Sequence, residues 1–171
     1  MTWHARDGGA WRTITAPYVR VAGVWQPVKE GWVRVSGVWQ RFFNAVSVQI
    51  TDRTVSALGL GIDGATATYS LNSDGTVRNQ TGTVLEDWIT PTSAAGADYE
   101  ARATLTSGSI SSGSTGVWEA LSSTRSWTNE RPPGSLDGTT SGVLLIEIRR
   151  ASDGVVLADA NVTVEATTFT P

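Results

Sequence analysis

Few residues in this 171-residue chain are of a type suited to catalysis. It has no cysteine and a single histidine, His4, which excludes disulfides and thiolate metal sites. Glu86 and Asp87 are adjacent, so in a strand their side chains point to opposite faces and make a poor acid–base pair. No glycine pattern typical of phosphate or dinucleotide binding is present. We therefore expect no enzyme activity, no cofactor and no metal ion.

A different chemistry is suggested by arginine and tryptophan residues that recur with a period of 14 residues. Residues 18–26 read YVRVAGVWQ, residues 32–40 read WVRVSGVWQ, and a weaker copy precedes them. The shared pattern is aromatic-x-Arg-x-x-Gly-x-Trp. Its main members, which we take as a candidate assembly interface, are Trp11, Tyr18, Arg20, Trp25, Trp32, Arg34 and Trp39.

Each copy of the repeat predicts a β-hairpin closed by a two-residue turn, at residues 22–23 in the first full copy. In that register Arg20 lies opposite Trp25, and the same offset places Arg34 opposite Trp39. A guanidinium over the indole would contribute about 0.5–1 kcal/mol to each exposed pair. Two-stranded hairpins are marginally stable in water, so this aromatic surface needs a partner.

Several partners would suit these tryptophans. They could pack within an ordinary intrachain sheet, dock onto other subunits, stack on glycans or bind nucleic acid. The six basic residues of the repeats are too few for a strong phosphate footprint, so we expect no nucleic acid. Docking onto other subunits is the hypothesis we favour.

The net charge of the chain changes sign at the position where the repeats end. Residues 1–43 have a net charge of +4 and hold five of the eight tryptophans. Residues 44–171 have seven arginines against fourteen acids, a net charge of −7. We therefore predict an anchoring segment of tandem hairpins over 1–43 and a separate domain over 44–171. Their opposite charges favour docking contacts between copies.

Residues 44–171 predict an antiparallel, Ig-like β-sandwich, so the fold class is all-β. Short stretches of alternating apolar and polar residues are separated by turn residues, and no convincing helix is present. The predicted strands cover 45–50, 54–58, 66–71, 76–79, 84–89, 99–105, 117–121, 143–149 and 155–166.

Two stretches of the body predict exposed loops because they are rich in Ser, Gly or Pro: residues 107–116 and 128–140. Between them, Trp118 and Trp127 are expected on the inner faces of the sandwich, with a ligand platform as the alternative. The candidate recognition residues of the two loops are Ser109, Ser112, Ser114, Asn129 and Arg131.

The chain shows no sign of membrane insertion. No segment approaches the roughly 20 apolar residues of a membrane span. The first residues, MTWHARDGG, lack the apolar centre of a signal peptide. We expect synthesis in the cytoplasm and no membrane span.

The repeat WVRVSGVWQ resembles the Trp-containing hairpin repeats of tail-associated structural proteins of tailed bacteriophages. Two further stretches, DYEARATLTSGSISSGSTGVWEALSSTRSW and LLIEIRRASDGVVLADANVTV, resemble small β-sandwich modules of phage tail and fibre proteins. The resemblance implies a non-enzymatic component of the virion tail, made in the host cytoplasm. It also implies a homo-oligomer, for example a trimer, that contacts other virion proteins.

The leading hypothesis is therefore a tail, tail-tip or tail-fibre protein that is anchored through 1–43 and displays its sandwich. The alternative from another functional class is a module that binds a carbohydrate or host receptor through the loops 107–116 and 128–140. A capsid decoration or head-fibre protein would have the same architecture at another position in the virion.

Overall fold

The computed structural model of the chain describes residues 3–7, 10–14, 18–27, 30–44 and 46–170. Before residue 46, side chains are described only at 20–24, 34 and 36–39. The chain divides into two compact units, Met1–Ser47 and Val48–Pro171. This division lies four residues after the end of the predicted anchoring segment at residue 43.

The first unit consists of three β-hairpins. Each is a separate two-stranded antiparallel sheet within the described residues, pairing β1 with β2, β3 with β4 and β5 with β6. The strands are β1 Trp3–Asp7, β2 Ala10–Ile14, β3 Tyr18–Val21, β4 Val24–Pro27, β5 Glu30–Val35 and β6 Val38–Asn44. Three consecutive hairpins agree with the 14-residue period of the sequence.

The second unit, which we call the body, contains two larger sheets and a small one. The strands are β7 Ser47–Val48, β8 Arg53–Leu60, β9 Ala65–Leu71, β10 Thr76–Asn79, β11 Val84–Asp87, β12 Ile89–Thr90, β13 Tyr99–Gly108, β14 Glu119–Ala120, β15 Arg125–Arg131, β16 Gly138–Arg150 and β17 Val156–Phe169. A four-stranded sheet has the order β11-β10-β9-β15, a five-stranded sheet has the order β14-β13-β16-β17-β8, and β7 pairs with β12.

The prediction of an all-β fold is confirmed, but the prediction of a wholly antiparallel sandwich is wrong at one pair. Strand β8 lies parallel to β17, from Arg53 beside Val162 to Leu60 beside Phe169. Short turns can join only antiparallel neighbours, whereas these two strands lie far apart in the sequence. Local patterns along the chain do not specify such a pairing.

The core of the body lies between the two larger sheets. Alternate residues of β9 and β17 are buried, including Tyr69, Leu71, Val162 and Val164, as the pleat of a half-buried strand requires. Trp127 of β15 is also buried, as expected, with its ring centroid 6.2 Å from that of Tyr69. Each large apolar side chain buried here stabilises the body by about 1.5–3 kcal/mol.

The predicted loop 128–140 is wrong at both of its ends. Strand β15 extends through Arg131, and β16 begins at Gly138. The alternation in β15 was hidden because the next buried position after Trp127 is a polar residue, Asn129. Within the residues that the structure describes, no helix is long and apolar enough to cross a membrane.

Candidate functional site

The register predicted for the hairpins is confirmed in all three. Arg20 pairs with Trp25 and Arg34 pairs with Trp39, and the weaker first copy shows the same pairing of Arg6 with Trp11. Because side chains that face each other across a non-bulged pair lie on one side of the sheet, Arg34 and Trp39, whose side chains are both described, share a face of their hairpin.

The turns of the two full repeats have the backbone geometry that this register requires. Ala22 and Gly23 have φ values of 49° and 85°, and Ser36 and Gly37 have 49° and 87°. Two consecutive residues with positive φ form the type I′ turn, whose twist matches that of paired strands. The second residue is glycine in both copies, where the left-handed backbone carries no steric penalty.

Arginine side chains reinforce these turns. The Nε groups of Arg20 and Arg34 each donate a hydrogen bond to the carbonyl of the turn glycine, Gly23 or Gly37, at 3.2 Å. The predicted stacking of arginine on indole stays a prediction. The side chains of Trp11, Tyr18, Trp25 and Trp32 lie outside the described residues, as does that of His4.

The described side chains of the hairpins are exposed. Trp39 is 61% exposed and Val38 is 62% exposed, and Val21 and Val24 of the preceding hairpin are exposed as well. Large apolar side chains on a small surface unit indicate an interaction surface when they are contiguous. We call the β5–β6 hairpin with Arg34, Val38 and Trp39 the basic hairpin.

The Ser/Gly-rich segment, residues 107–116, does not form a free loop. Its backbone pairs with the edge of β15, where Ser112 and Thr128 exchange hydrogen bonds of 3.0 and 3.1 Å. The Nε1 group of Trp127 donates to the carbonyl of Ser114 at 2.7 Å. This segment therefore closes a sheet edge, although the side chains of Ser109, Ser112 and Ser114 remain exposed.

Asn129 and Arg131 form hydrogen bonds within the body, so these donor groups are already occupied and are poorly placed to bind a ligand. Asn129 is fully buried, and its Nδ2 group donates to the carbonyls of Ser109 at 3.0 Å and Val164 at 2.6 Å. Arg131 donates to the Thr168 hydroxyl at 3.0 Å and to a loop carbonyl at 2.6 Å. The prediction of Asn129 as a recognition residue is wrong because its amide is needed to join the two sheets.

Trp118 does not lie on an inner face, contrary to expectation. It is half-buried, and its ring lies 4.6 Å from the guanidinium carbon of Arg102 and 4.1 Å from that of Arg149. These arginines alternate along their strands with buried residues, so they face outward from the five-stranded sheet. Trp118 therefore covers the outer face, where cation–π contact contributes about 0.5–2 kcal/mol.

Two ion pairs lie beneath Trp118, and sequence reasoning missed them. Arg102 bonds Glu147 at 2.6 Å, and Arg149 bonds Glu100 at 2.7 Å. The sequence pattern that could have predicted these ion pairs is Glu-x-Arg, which occurs in both β13 and β16. When two such strands run antiparallel in register, each glutamate meets an arginine across the ladder.

Tyr69 has its hydroxyl in the core beside a third ion pair. The hydroxyl has no hydrogen-bond partner among the described residues. Burial raises the pKa of Tyr69 above its ordinary value, and the nearby charge of Glu86 raises it further. Glu86 is itself paired with Arg53 at 3.0 Å. This group is therefore a neutral, structural hydroxyl at every physiological pH.

A cavity lined by residues with polar side chains lies on the four-stranded sheet. Its volume is about 530 Å³, and its lining includes Thr66, Thr68, Ser70, Arg78 and Gln80. Hydroxyl pairs continue this polar surface onto β15, with Thr68 to Thr128 at 3.0 Å and Ser70 to Ser126 at 2.8 Å. We call this surface the hydroxyl groove.

None of the predicted recognition residues lines the hydroxyl groove. Ser114 instead lines a smaller cavity of about 160 Å³, together with Arg125 and Trp127. Within the described part of the chain, no group of three or more His, Cys, Asp or Glu residues is placed to hold a metal ion.

Comparisons of the chain with protein-family models, with curated protein sequences and with solved structures found no match.

Proposed function

We propose that this protein is a non-enzymatic structural component of a bacteriophage virion, in the tail, tail tip or tail fibre. The observation that carries the assembly role is the exposure of Val38 and Trp39 on a hairpin whose outer edges have no partner strand in the described part of the chain. The hairpins anchor the protein to neighbouring virion subunits, and the body is displayed. The assignment to a phage tail rests on the sequence resemblance of the repeats and of the body.

The charged side chains of the body support a structural role. All seven of its arginines are engaged within the body, six in ion pairs with acids and Arg131 in hydrogen bonds. These guanidiniums have intramolecular partners already, so they are poorly placed to bind a phosphate backbone. The excess of acids leaves the body negative and the hairpin unit positive, which favours contact between copies.

The assembly role is tested by the absolute mass of the chain in solution, measured by light scattering over a range of concentrations. We expect a homo-oligomer for the native chain and a smaller species for Trp39→Ser, because that substitution removes an exposed aromatic ring. Val155→Ser, at an exposed apolar residue of the body, is the matched control and should leave the mass unchanged. A native chain that stays monomeric would contradict self-assembly.

The location in the virion is tested separately by electron microscopy of phage particles labelled with an antibody against the body. Labelling of the tail is expected. Labelling of the capsid would favour a decoration or head-fibre protein, and particles that bind no antibody would contradict a displayed body.

The hydroxyl groove favours a second candidate function, the binding of a neutral host glycan. A cavity of about 530 Å³ lies within the size range of small-ligand sites, and its threonine and serine hydroxyls match the hydrogen-bonding groups of a sugar. Calorimetric titration with neutral oligosaccharides tests it. Binding that is lost in Thr68→Val but kept in Ser112→Ala would support this candidate, and the absence of heat with any glycan would count against it.

A further inference from the structure

Strand β8 forms an open edge of the five-stranded sheet. It is the last strand in the sheet order, with only β17 beside it. The carbonyls of Ser56 and Leu60 accept bonds from Gln80 and from the turn that follows β8, so they point away from β17. Since the backbone groups of alternate residues point to the same edge, those of Leu58 also face outward.

This edge lacks the features that usually protect an edge strand. Residues 54–60 read TVSALGL, with no charge and no proline, and the side chain of Leu58 is 72% exposed. Proteins commonly guard such edges with charges, prolines, short strands or a covering loop. An unguarded edge of this length is a template for a strand from another chain.

The other edges of the two larger sheets are protected. Strand β15 is covered by the backbone of Ser111 and Ser112, and β14 contains only two residues. Strand β11 carries the acids Glu86 and Asp87. Among the edges that the structure describes in these sheets, β8 is the longest strand, and its residues 54–60 carry no charge.

One side chain partly occupies the β8 edge. The amide of Gln80 accepts from the Thr68 backbone nitrogen and donates to the Ser56 carbonyl, both at 3.4 Å. These are long bonds compared with the usual 2.9–3.0 Å of backbone pairs. An incoming strand would exchange these bonds for a regular ladder at little cost.

The basic hairpin has the properties of an occupant for this edge. It is a two-stranded sheet whose outer edges have no partner strand among the described residues, and its β6 strand has seven residues against eight in β8. It belongs to a unit with a net charge of +4, while the body carries −7.

We propose that β8 of one copy is extended by the basic hairpin of a second copy, which adds its strands to the five-stranded sheet. Leu58 and Phe169 then meet the exposed Val38, whose side chain lies on the opposite hairpin face from that of Trp39. This inference rests on the proposed assembly role and names the surface that receives the hairpins. Because the two surfaces differ, the contact is heterologous and generates a closed ring or an open chain of copies.

The contact is tested by cross-linking, which is simple here because the native chain has no cysteine. Val38→Cys and Leu58→Cys are placed in separate, co-expressed chains of different mass and treated with a short bis-maleimide. The control replaces Leu58→Cys with Val155→Cys, at a residue 50% exposed between β16 and β17, outside the parallel β8–β17 pair. Thiols held together react at high effective concentration, so we expect about tenfold more mixed dimer than in the control. Equal yields would overturn the proposal.

A second variant separates this inference from the assembly role itself. Leu58→Lys places a charge on the β8 edge and should reduce the mass of the native oligomer, while Val155→Lys should not. Both substitutions are at exposed residues, so unchanged unfolding midpoints verify that the variants fold. An oligomer that keeps its mass with Leu58→Lys would refute the β8 contact and leave the assembly role intact. A monomeric native chain would refute both.

Discussion

The hairpin unit and the body form β-sheets in two different ways. In the hairpins, every pair joins residues close in sequence, at most from Glu30 to Asn44, and the described side chains are exposed. In the body, strands pair across long separations, and the Asn161 nitrogen bonds Asp52 across 109 residues. The hairpins depend on their turns for register, whereas the body depends on a shared core.

Polar side chains show the same contrast. In the hairpins, the turn contacts of Arg20 and Arg34 repeat from one copy to the next. In the body, a single amide, Asn129, joins a covering segment to the opposite sheet. A change in a hairpin should therefore act locally, while a change at a junction of the body should act on the whole domain.

The strongest test of this contrast replaces one glycine in each region by alanine. A methyl group on Gly59 would overlap the backbone oxygen of Gly64, where β8 turns into β9. We expect Gly59→Ala to lower the free energy of unfolding by about 3 kcal/mol because backbone must move. Urea unfolding followed by tryptophan fluorescence, to which the buried Trp88 and Trp127 of the body contribute, measures this loss.

The matched change in the hairpin is Gly37→Ala. Gly37 has φ of +87° but has no atom within 4 Å of an added methyl group. The left-handed backbone costs about 1–2 kcal/mol, confined to the turn. The main urea transition should shift by less than about 0.5 kcal/mol. Equal losses for the two variants would break the distinction between local and domain-wide stabilisation.

A second test compares a buried junction with an exposed position in the segment that it holds. Asn129→Ala removes both donors and leaves the buried carbonyl of Val164 and the partly buried carbonyl of Ser109 without these partners. We expect a loss of about 2–4 kcal/mol. Ser112→Ala keeps the backbone bridge to Thr128 and should cost less than about 0.5 kcal/mol. Similar midpoints in urea for both variants would show that the amide does not join the sheets.

The smallest effect concerns acid titration of a turn in the body. A hydrogen bond from the Thr76 hydroxyl is the main cause that lowers the pKa of Asp74 below its ordinary 3.8, with Arg78 contributing. A lowered folded pKa stabilises the fold above the ordinary pKa, and this stabilisation is lost as pH falls through the folded value. Since Asp74 is largely exposed, Asp74→Asn should cost less than about 1 kcal/mol at pH 7.

The pH profile sharpens this test. The difference in unfolding free energy between the native chain and Asp74→Asn should disappear when both are measured near pH 2. The hairpin turns, held by Arg20 and Arg34, should show no such change. A difference that persists unchanged at low pH would mean that the carboxylate charge is not what stabilises the turn.

Much of the local structure could be predicted from the sequence. Strand β10 coincides with its predicted range, and β9 differs by one residue at its start. The Ser152-Asp153-Gly154 turn joins β16 to β17, and Gly154 has the positive φ of 69° that such a turn uses. Short-range patterns succeed here because a turn and the strands beside it are specified by adjacent residues.

The candidate sites were less predictable. The sequence placed Trp118 inside and Asn129 outside, and the structure reverses both. A tryptophan can bury its ring against arginines on an outer face, and an asparagine can enter a core when two carbonyls need donors. Neither outcome follows from hydropathy, because each depends on which strand lies opposite.

By itself the sequence determined the all-β class, the 14-residue hairpin repeat and the opposite charges of the two regions. These follow from alternation, turn residues and charge counts, which are properties of neighbouring residues. Only the tertiary structure decided that β8 lies parallel to β17, that the Ser/Gly segment covers β15 and that β8 keeps an open edge. Those features arise from pairing between distant segments, where burial of a common core selects one arrangement among many that the local patterns permit.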